Sequence, residues 1–355
     1  MTESDRTSVN GLRGWLLRAE AAVDRVVARR RDRRGRASDA VLVPHAGYEH
    51  PNGIECYGRV QERGSAWVPK ASDGRLANLR GVGSLFATYE IAGADVGIEG
   101  PGGEERVLTD AEGYLRATLP APERAAHTAW TSLPTDMNAP DGDAASLPIL
   151  RVGASARFAI VSDVDDTVME TGAENLARNL WTTFTGNALT RRVYSRVPPL
   201  YRALHRQEDG TANPLFYLSS SPWNLYGLIH DVFDRTGVPW GPIFLRDYGI
   251  DENKFITSTH GEHKLGNARR LMAQLDGLPF ILIGDLGQAD AEIYATLVRE
   301  HPTQVAGVIM HRPSGREHAD KLRHIEEIDA AGVPVVVTRD YADAETLARE
   351  RGWIG

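Results

Sequence analysis

The chain has 355 residues, of which 42% are hydrophobic and 25% charged, and its formal net charge is −8. This length is typical of about two globular domains, and the composition excludes fibrous and wholly disordered proteins. The single cysteine, Cys56, excludes an intramolecular disulfide and a zinc site built on several thiolates, and the negative charge argues against general nucleic-acid binding. No apolar run reaches the ~18 residues that a membrane span needs, and no signal-peptide pattern is visible, so we expect a cytoplasmic protein.

Residues 1–38 are predicted to form an amphipathic helix with a strongly basic end. Apolar residues repeat at helical spacing between Leu12 and Val27, and seven arginines lie between Arg25 and Arg36. Two interpretations stay open. The helix either packs against its own protein or makes peripheral contact with an anionic membrane surface.

Residues 39–155 contain short apolar runs separated by glycine, proline and aspartate, which is typical of a β-rich domain. The predicted strands are Ile54–Val60, Ser84–Glu90, Val96–Glu99, Arg106–Thr109, Tyr114–Leu119 and Thr128–Leu133. A Gly-Pro-Gly-Gly turn predicts a hairpin, and the polar stretch Asp136–Ser146 predicts a loop near the domain boundary. We therefore expect a small antiparallel leader domain that resembles a β-sandwich.

Strands and helices alternate over residues 156–355. The predicted strands are Arg157–Ser162, Leu215–Leu218, Phe280–Ile283, Val305–Met310 and Val333–Val337, and the helices include His263–Leu275, Asp290–Arg299 and Arg316–Ala330. Continuous apolar strands that alternate with helices predict an α/β domain whose parallel sheet is covered on both faces.

Asp163 and Asp165 come at the end of the first strand of this domain. Alternation along a strand places both side chains on one face, at the edge where α/β sheets bind ligands. Two neighbouring carboxylates repel unless a cation separates them or one keeps its proton, so the pair predicts a metal site, an acid–nucleophile pair, or both. A solvated acidic turn is the plainer alternative. A calcium loop is disfavoured, because Val168 stands where that loop requires glycine.

Polar residues also follow two further apolar strands. Ser219 ends one, Asp285 ends the other with Asp290 close behind, and Lys264 is one of only four lysines in the chain. Each has an ordinary explanation when taken singly: a turn serine, an N-cap aspartate, a solvated lysine. Taken together, hydroxyl, ammonium and carboxylates at strand ends are the groups that bind a phosphoryl group and a cation.

Four elements follow one another along the chain: a strand that ends in DxDxT, a strand that ends in serine, a lysine, and a strand that ends in GDxxxxD. This order resembles the haloacid dehalogenase (HAD) superfamily and, more narrowly, the App1-type phosphatidate phosphatase family. The narrower resemblance rests on Thr171-Gly172, Asn187–Arg191, Phe216–Tyr226, Gly241–Asp247, Gly284-Asp285 and Asp290–Tyr294, and in the leader domain on Gly47-Tyr48 and Gly58–Val60. It covers roughly residues 40–315 and departs at Leu286 and Ala291, where the family has serine and proline.

The resemblance implies a HAD-like Rossmannoid sheet and a phosphatase mechanism. Asp163 would be the nucleophile that forms an aspartyl-phosphate, and Asp165 the general acid and base. Magnesium would be held by Asp163, by Asp285 and by the backbone carbonyl of Asp165, while Asp290 would order the metal shell.

The resemblance also implies a set of phosphate-binding residues. Ser219 and Lys264 would hold and neutralise the phosphoryl oxygens. Thr167, Ser220 and Arg191 are predicted to bind substrate, and Arg191 is chosen because a guanidinium can bind phosphate in bidentate fashion.

The function expected from this resemblance is a Mg²⁺-dependent, phosphatidate phosphatase-like hydrolase that acts on a lipid phosphomonoester. Its expected partners are phosphatidate or another phosphomonoester, with peripheral contact at an anionic membrane and no nucleic acid. Two alternatives stay open: the same chemistry on a soluble phosphate ester, and a non-catalytic adaptor whose β-rich domain binds a partner.

Overall fold

The structure is a computed structural model that describes residues 40–63, 90–170, 193–246, 260–313 and 319–355. The predicted N-terminal amphipathic helix lies outside these ranges, as does most of the predicted strand Ser84–Glu90.

The first sheet has seven strands and curls into a nearly closed barrel. Its strands are β1 (Ala40–His50), β2 (Gly53–Glu62), β3 (Asp95–Gly100), β4 (Gly103–Leu108), β5 (Tyr114–Leu119), β6 (Ala129–Asn138) and β7 (Ala144–Arg151). They lie in the order β4-β3-β6-β7-β1-β2-β5, antiparallel except where β1 runs parallel to β7. The two edge strands, β4 and β5, also contact each other, so a single sheet encloses its own apolar core.

This barrel differs from the predicted sandwich. The β3–β4 hairpin is present, but β5 pairs with β2 at the other edge of the sheet. No second sheet covers the core among the described residues, because the curl of one sheet buries the inward-facing side chains of its own strands. The stretch predicted as a loop, Asp136–Ser146, is partly strand, since β6 extends to Asn138 and β7 begins at Ala144.

The second sheet has six strands, all parallel, as the alternating pattern predicted. They are β8 (Ala159–Asp163), β9 (Leu215–Pro222), β10 (Ile243–Arg246), β11 (Phe280–Asp285), β12 (Val305–His311) and β13 (Val335–Thr338), in the order β10-β9-β8-β11-β12-β13. Sequence analysis missed β10, whose four residues are too short a run to stand out.

Helices cover both faces of this parallel sheet. They are α1 (Val197–His205), α2 (Tyr226–Thr236), α3 (His260–Gln274), α4 (Asp290–Glu300), α5 (Ala319–Ala330) and α6 (Ala342–Glu350). Alternate residues of each strand enter different cores. Ile160 packs with α1, α2 and α6, whereas Val161 packs with α3, α4 and α5. The sheet is therefore buried on both sides, which accounts for its continuous apolar strands.

A β-bulge in β1 joins the barrel to the second sheet. Between His45 and Tyr48, β1 uses one more residue than β2, so both side chains face the second sheet although their spacing would put them on opposite faces. His45 stacks on Trp223 with ring centroids 4.8 Å apart, and Tyr48 meets Phe216 edge-on at 5.4 Å. The bulge requires Gly47, since a Cβ there would lie 2.0 Å from a backbone carbonyl oxygen.

Candidate active site

Three neighbouring strands deliver the predicted polar residues to one edge of the parallel sheet. β8 ends at Asp163, β11 ends at Asp285, and β9 carries Ser219 near its end. Because β9, β8 and β11 are adjacent and parallel, their carboxyl ends meet. The side chains of all three residues are buried there.

A buried lysine bridges a cluster of carboxylates at this edge. One oxygen each from Asp163, Asp285 and Asp290 lies within 4.8 Å of the others. Lys264 Nζ donates to Asp163 Oδ1 at 2.6 Å and to Asp290 Oδ1 at 2.7 Å. When all three carboxylates are ionised, one ammonium leaves the cluster with a net negative charge. This charge favours the binding of a further cation.

Asp165 is held separately, by hydroxyl groups of β9. Ser219 Oγ donates to Asp165 Oδ2 at 2.7 Å, and Ser221 Oγ donates to the same oxygen at 2.9 Å. Ser219 Oγ in turn accepts the backbone N–H of Ser221 at 2.9 Å. The carboxyl group of Asp165 is thus fixed in orientation a short distance from Asp163 but outside the carboxylate cluster.

The loop that carries Asp165 is anchored from three sides. Thr167 Oγ1 donates to Asp163 Oδ2 at 2.9 Å, and the carbonyl oxygen of Thr167 accepts from Tyr341 OH at 2.6 Å. His311 Nδ1 lies 2.7 Å from the carbonyl oxygen of Asp166, which has a left-handed φ of 59°. A non-glycine residue in that region is costly unless its surroundings hold it, so these contacts maintain the turn.

Asp285 has the features of a cation ligand. Its Oδ1 accepts the backbone N–H groups of Gly287 and, at 2.9 Å, of Gln288, which fixes the carboxylate. Its Oδ2 is buried and has no hydrogen-bond partner within the described part of the chain. An orphaned carboxylate oxygen beside Asp163 and Asp290 is costly unless a cation binds it, and an all-oxygen donor set suits Mg²⁺. These residues therefore fit a divalent cation.

Burial and mutual repulsion strongly perturb this cluster. Burial raises the pKa of Asp163 well above its ordinary value, although the charge of Lys264 opposes the shift. Burial, followed by repulsion from Asp290, raises the pKa of Asp285 to about 8. Burial opposes the charge on Lys264, but the surrounding carboxylates outweigh it and hold the pKa of that lysine above its ordinary value. The ammonium thus stays charged, while the carboxylates compete for positive charge.

Several predicted site residues have surroundings that sequence analysis did not anticipate. Thr167, predicted to bind substrate, donates its hydroxyl proton to Asp163. The side chain of Asp165 lies outside the carboxylate cluster, and its backbone carbonyl accepts from Gln288 Nε2 at 3.2 Å. The alternative in which Asp290 is only an N-cap does not hold. Ala289 caps α4, and Asp290 binds Lys264 and the backbone N–H of Asp285.

Ser220 and Arg191, both predicted to bind substrate, have different standings in the structure. Ser220 is buried on β9, directly between the two serines that bind Asp165. Arg191 lies outside the described residues. The two departures from the expected family pattern, Leu286 and Ala291, are fully buried and pack in the core beneath α3 and α4, so neither supplies a polar group to the site.

Sequence analysis missed Ser221, His311 and Tyr341. Ser221 had a readable signal, because it stands two residues after Ser219 and a strand places such residues on one face. His311 ends β12, which lies beside β11 and carries none of the predicted site residues, and Tyr341 precedes α6. Nothing local in the sequence connects either of them to a loop more than 140 residues earlier.

The fold and this site define an α/β protein with a carboxylate-rich, lysine-bridged centre at the carboxyl edge of a parallel sheet. Comparison with known proteins finds a family that is similar to this part of the chain. Residues 158–312 match the family model for the catalytic domain of phosphatidate phosphatase APP1. This match covers less than half of the chain, and it includes the catalytic-domain motifs on which the predicted resemblance rests.

Two curated fungal proteins are similar to the same region. Phosphatidate phosphatase APP1 of Saccharomyces cerevisiae is 28% identical over 169 residues, which is 48% of this chain and 28% of that protein. An uncharacterised protein of Schizosaccharomyces pombe is 25% identical over 155 residues, which is 43% of this chain and 25% of that protein. The similarity thus spans about a quarter of the length of these relatives. No helix in the described ranges is both long and apolar enough to cross a membrane.

Proposed function

We propose that this chain is a phosphatase that cleaves a phosphomonoester through an aspartyl-phosphate on Asp163. One observation carries the proposal: two neighbouring aspartates are held by different donors. Asp163 is bound by Lys264 and Thr167, whereas Asp165 is bound by the serines of β9. Different surroundings suit them to different roles, a nucleophile and an acid–base group.

In the first half of the reaction, a carboxylate oxygen of Asp163 attacks phosphorus, and the bond from phosphorus to the ester oxygen breaks. The ammonium of Lys264 offsets negative charge beside the attacking carboxylate, and Thr167 fixes the direction of that carboxylate. The carboxylic acid of Asp165 gives its proton to the departing alcohol. Both serine hydroxyls engage Oδ2 of Asp165, which leaves Oδ1 to carry that proton.

In the second half, Asp165 acts as a base. Its carboxylate takes a proton from a water molecule, the water oxygen attacks phosphorus, and the bond to Asp163 breaks to release inorganic phosphate. Ser219 has a single hydroxyl proton, which it donates to Asp165 in the structure. Its predicted contact with a phosphoryl oxygen therefore requires the hydroxyl to rotate away from Asp165.

A divalent cation, Mg²⁺, is the cofactor that we propose. Asp163, Asp285 and Asp290 would hold it, and the orphaned Oδ2 of Asp285 supports this choice. When bound, the ion would neutralise the carboxylate cluster and offset charge on the phosphoryl group.

The HAD-like classification and the lipid substrate are parts of the same proposal. The parallel sheet, with its first aspartate at the end of the central strand β8, supports the HAD-like assignment. The App1-type catalytic segment and the name of the yeast relative support phosphatidate as the substrate. Peripheral membrane contact stays a prediction, since the arginines between Arg25 and Arg36 lie outside the described residues.

The test is phosphate release in the presence and absence of Mg²⁺ from short-chain phosphatidate, lysophosphatidate and a panel of soluble phosphomonoesters. We expect the lipids to be preferred, and we expect Asp163→Asn to reduce turnover by about a thousandfold or more. Asp231→Asn, which removes a half-buried carboxylate on α2 that is paired with Arg235, is the matched control. Preference for a soluble ester would move the substrate to that class. Release that survives in Asp163→Asn would refute the nucleophile, and no release from any ester would refute the proposal.

A further inference from the structure

Tyr48, on strand β1 of the barrel, contacts two elements that carry residues of the candidate active site. Its side chain is fully buried, and its ring meets Phe216 of β9 edge-on, with centroids 5.4 Å apart. Phe216 comes three residues before Ser219 on the same strand. The hydroxyl of Tyr48 donates to Gln274 Oε1 at the end of α3, the helix that carries Lys264. One barrel side chain therefore contacts both the serine-bearing strand and the lysine-bearing helix.

The amide of Gln274 is bound by the barrel through both of its polar atoms. Its Oε1 accepts from Tyr48, and its Nε2 donates to Glu55 Oε1 at 3.0 Å. Glu55 is directly opposite Tyr48 in the pairing of β1 with β2, so the two side chains are on the same face of the barrel. Because a carboxylate only accepts hydrogen bonds, Glu55 fixes which way the amide points. The last residue of α3 is therefore held by two directional bonds.

Glu55 is itself fixed by other barrel residues. Its Oε1 accepts from Thr118 Oγ1 at 3.2 Å and lies 3.3 Å from His50 Nε2, and its Oε2 accepts from Tyr57 OH at 3.3 Å. Burial raises the pKa of Tyr48 above its ordinary range, so the hydroxyl keeps the proton that it donates. A buried polar network whose members are all hydrogen-bonded holds them in one arrangement. The barrel thus presents rigid partners to α3.

Apolar packing leaves the position of α3 along its own axis less well defined. Leu271 and Met272 bury the helix against the sheet, but apolar contacts are not directional and tolerate a small slide or rotation. Lys264 needs a precise position, since its ammonium donates to two carboxylate oxygens at 2.6 and 2.7 Å. A helix rises about 1.5 Å per residue, so a displacement at Gln274 is carried over about 15 Å to Lys264.

We propose that Tyr48 is a positioning residue, which acts through Gln274 to set the position of α3 and thereby the placement of Lys264 against Asp163. The barrel then contributes to the reaction of the α/β domain and is more than a separate binding module. The inference rests on the proposed function where it concerns turnover. Because Tyr48 acts through Lys264 and not through a contact with substrate, its loss should lower kcat and leave KM nearly unchanged.

The first experiment measures steady-state kinetics on the phosphomonoester that wild type hydrolyses best. Tyr48→Phe keeps the ring against Phe216 but removes the hydroxyl, and Gln274→Leu removes the amide. We expect each variant to lower kcat about fivefold while KM stays within about twofold of wild type. The double variant should be no slower than the slower single variant, because both changes break the same link.

Thr135→Val is the matched control. It removes a hydroxyl group that donates to the carbonyl oxygen of Ala145 at 2.9 Å, within the barrel. This variant should keep the kcat of wild type even where its melting temperature falls as far as that of Tyr48→Phe. Three outcomes would overturn the inference: an unchanged kcat in Tyr48→Phe and Gln274→Leu, a change confined to KM, or an equal loss of kcat in Thr135→Val.

Hydrogen–deuterium exchange of the full chain tests the link without turnover. In peptides that cover α3, Tyr48→Phe should speed exchange at the amides near Lys264 about fivefold or more, whereas Thr135→Val should leave these amides unchanged. Faster exchange at that end of the helix would support the link even if wild type hydrolyses no ester, a result that would refute the proposed function alone. Unchanged exchange in Tyr48→Phe would overturn the inference whatever the activity.

Discussion

Lys264 Nζ lies 2.6 Å from Asp163 Oδ1, although the two residues are 101 positions apart in the chain. The same ammonium also holds Asp290, so one buried cation ties the end of β8 to the start of α4. The contact joins the proposed nucleophile to the group that offsets its charge, and it makes this edge of the sheet sensitive to the loss of a single charge.

Replacing Lys264 should destabilise the protein, and a divalent cation should reverse part of the loss. Lys264→Met leaves three buried carboxylates without their ammonium, which we expect to cost about 3 kcal/mol in unfolding free energy at neutral pH. Mg²⁺ should then raise the melting temperature of this variant more than that of wild type. Lys321→Met, on α5, is the control and should change neither quantity. Equal Mg²⁺ responses in wild type and Lys264→Met would contradict the shared site.

The hydroxyl groups of Ser219 and Ser221 should act on kcat rather than on stability. Each donates to Asp165, so Ser219→Ala and Ser221→Ala should each lower kcat about tenfold, and the double variant should lose more than either alone. Steady-state kinetics on a phosphomonoester, with Ser132→Ala on an exposed strand as the control, would measure this. A change confined to KM would show that these serines bind substrate without orienting the acid.

Asp285 should control cation binding. Its unpaired Oδ2 predicts that Mg²⁺ stabilises wild type, whereas Asp285→Asn should abolish that stabilisation, because an amide is a weaker ligand. Thermal melting as a function of Mg²⁺ concentration gives the readout without activity. Asp276→Asn, in the turn after α3, should respond like wild type. A Mg²⁺-dependent shift that persists in Asp285→Asn would remove Asp285 from the ligand set.

His45 should make the junction between the two sheets sensitive to acid. Burial, aided by Arg59 and Arg116, lowers the pKa of His45 from 6.5 to about 3. Between pH 6.5 and pH 3, His45 therefore binds a proton in the unfolded chain but stays neutral in the folded protein. The contribution of His45 to folding stability is intact above pH 6.5 and is lost as pH falls toward 3. At pH 4.5 the loss should reach about 2 to 3 kcal/mol relative to pH 7.

His45→Phe is the variant that tests this dependence. Phenylalanine preserves a ring against Trp223 and Tyr226 but has no titratable group. Denaturant unfolding at pH 7 and pH 4.5 should show that wild type loses more stability than His45→Phe, by the amount given above. Parallel losses in the two proteins would mean that His45 already titrates normally in the folded state.

The sequence was sufficient for the features that depend on local periodicity. Continuous apolar runs predicted the parallel sheet, since a strand buried on both faces admits few polar residues. The polar residues at the ends of those runs predicted the shared edge of the site, because parallel strands bring their carboxyl ends together. Asp163, Ser219 and Asp285 were predicted in this way, and the motifs around them resemble those of the App1-type family.

Tertiary structure alone decided the features that depend on curvature and on contacts distant in sequence. Alternating strands are compatible with two stacked sheets or with one curled sheet, and only the β4–β5 contact selects the barrel. The contacts of His311 and Tyr341 with the loop that carries Asp165 span more than 140 residues and have no local signature. Arg116 looks like an ordinary exposed strand residue in the sequence. Its position opposite Tyr57, whose ring packs against Phe244 of β10 and Arg270 of α3, follows from strand pairing and the packing of the barrel, which no local pattern encodes.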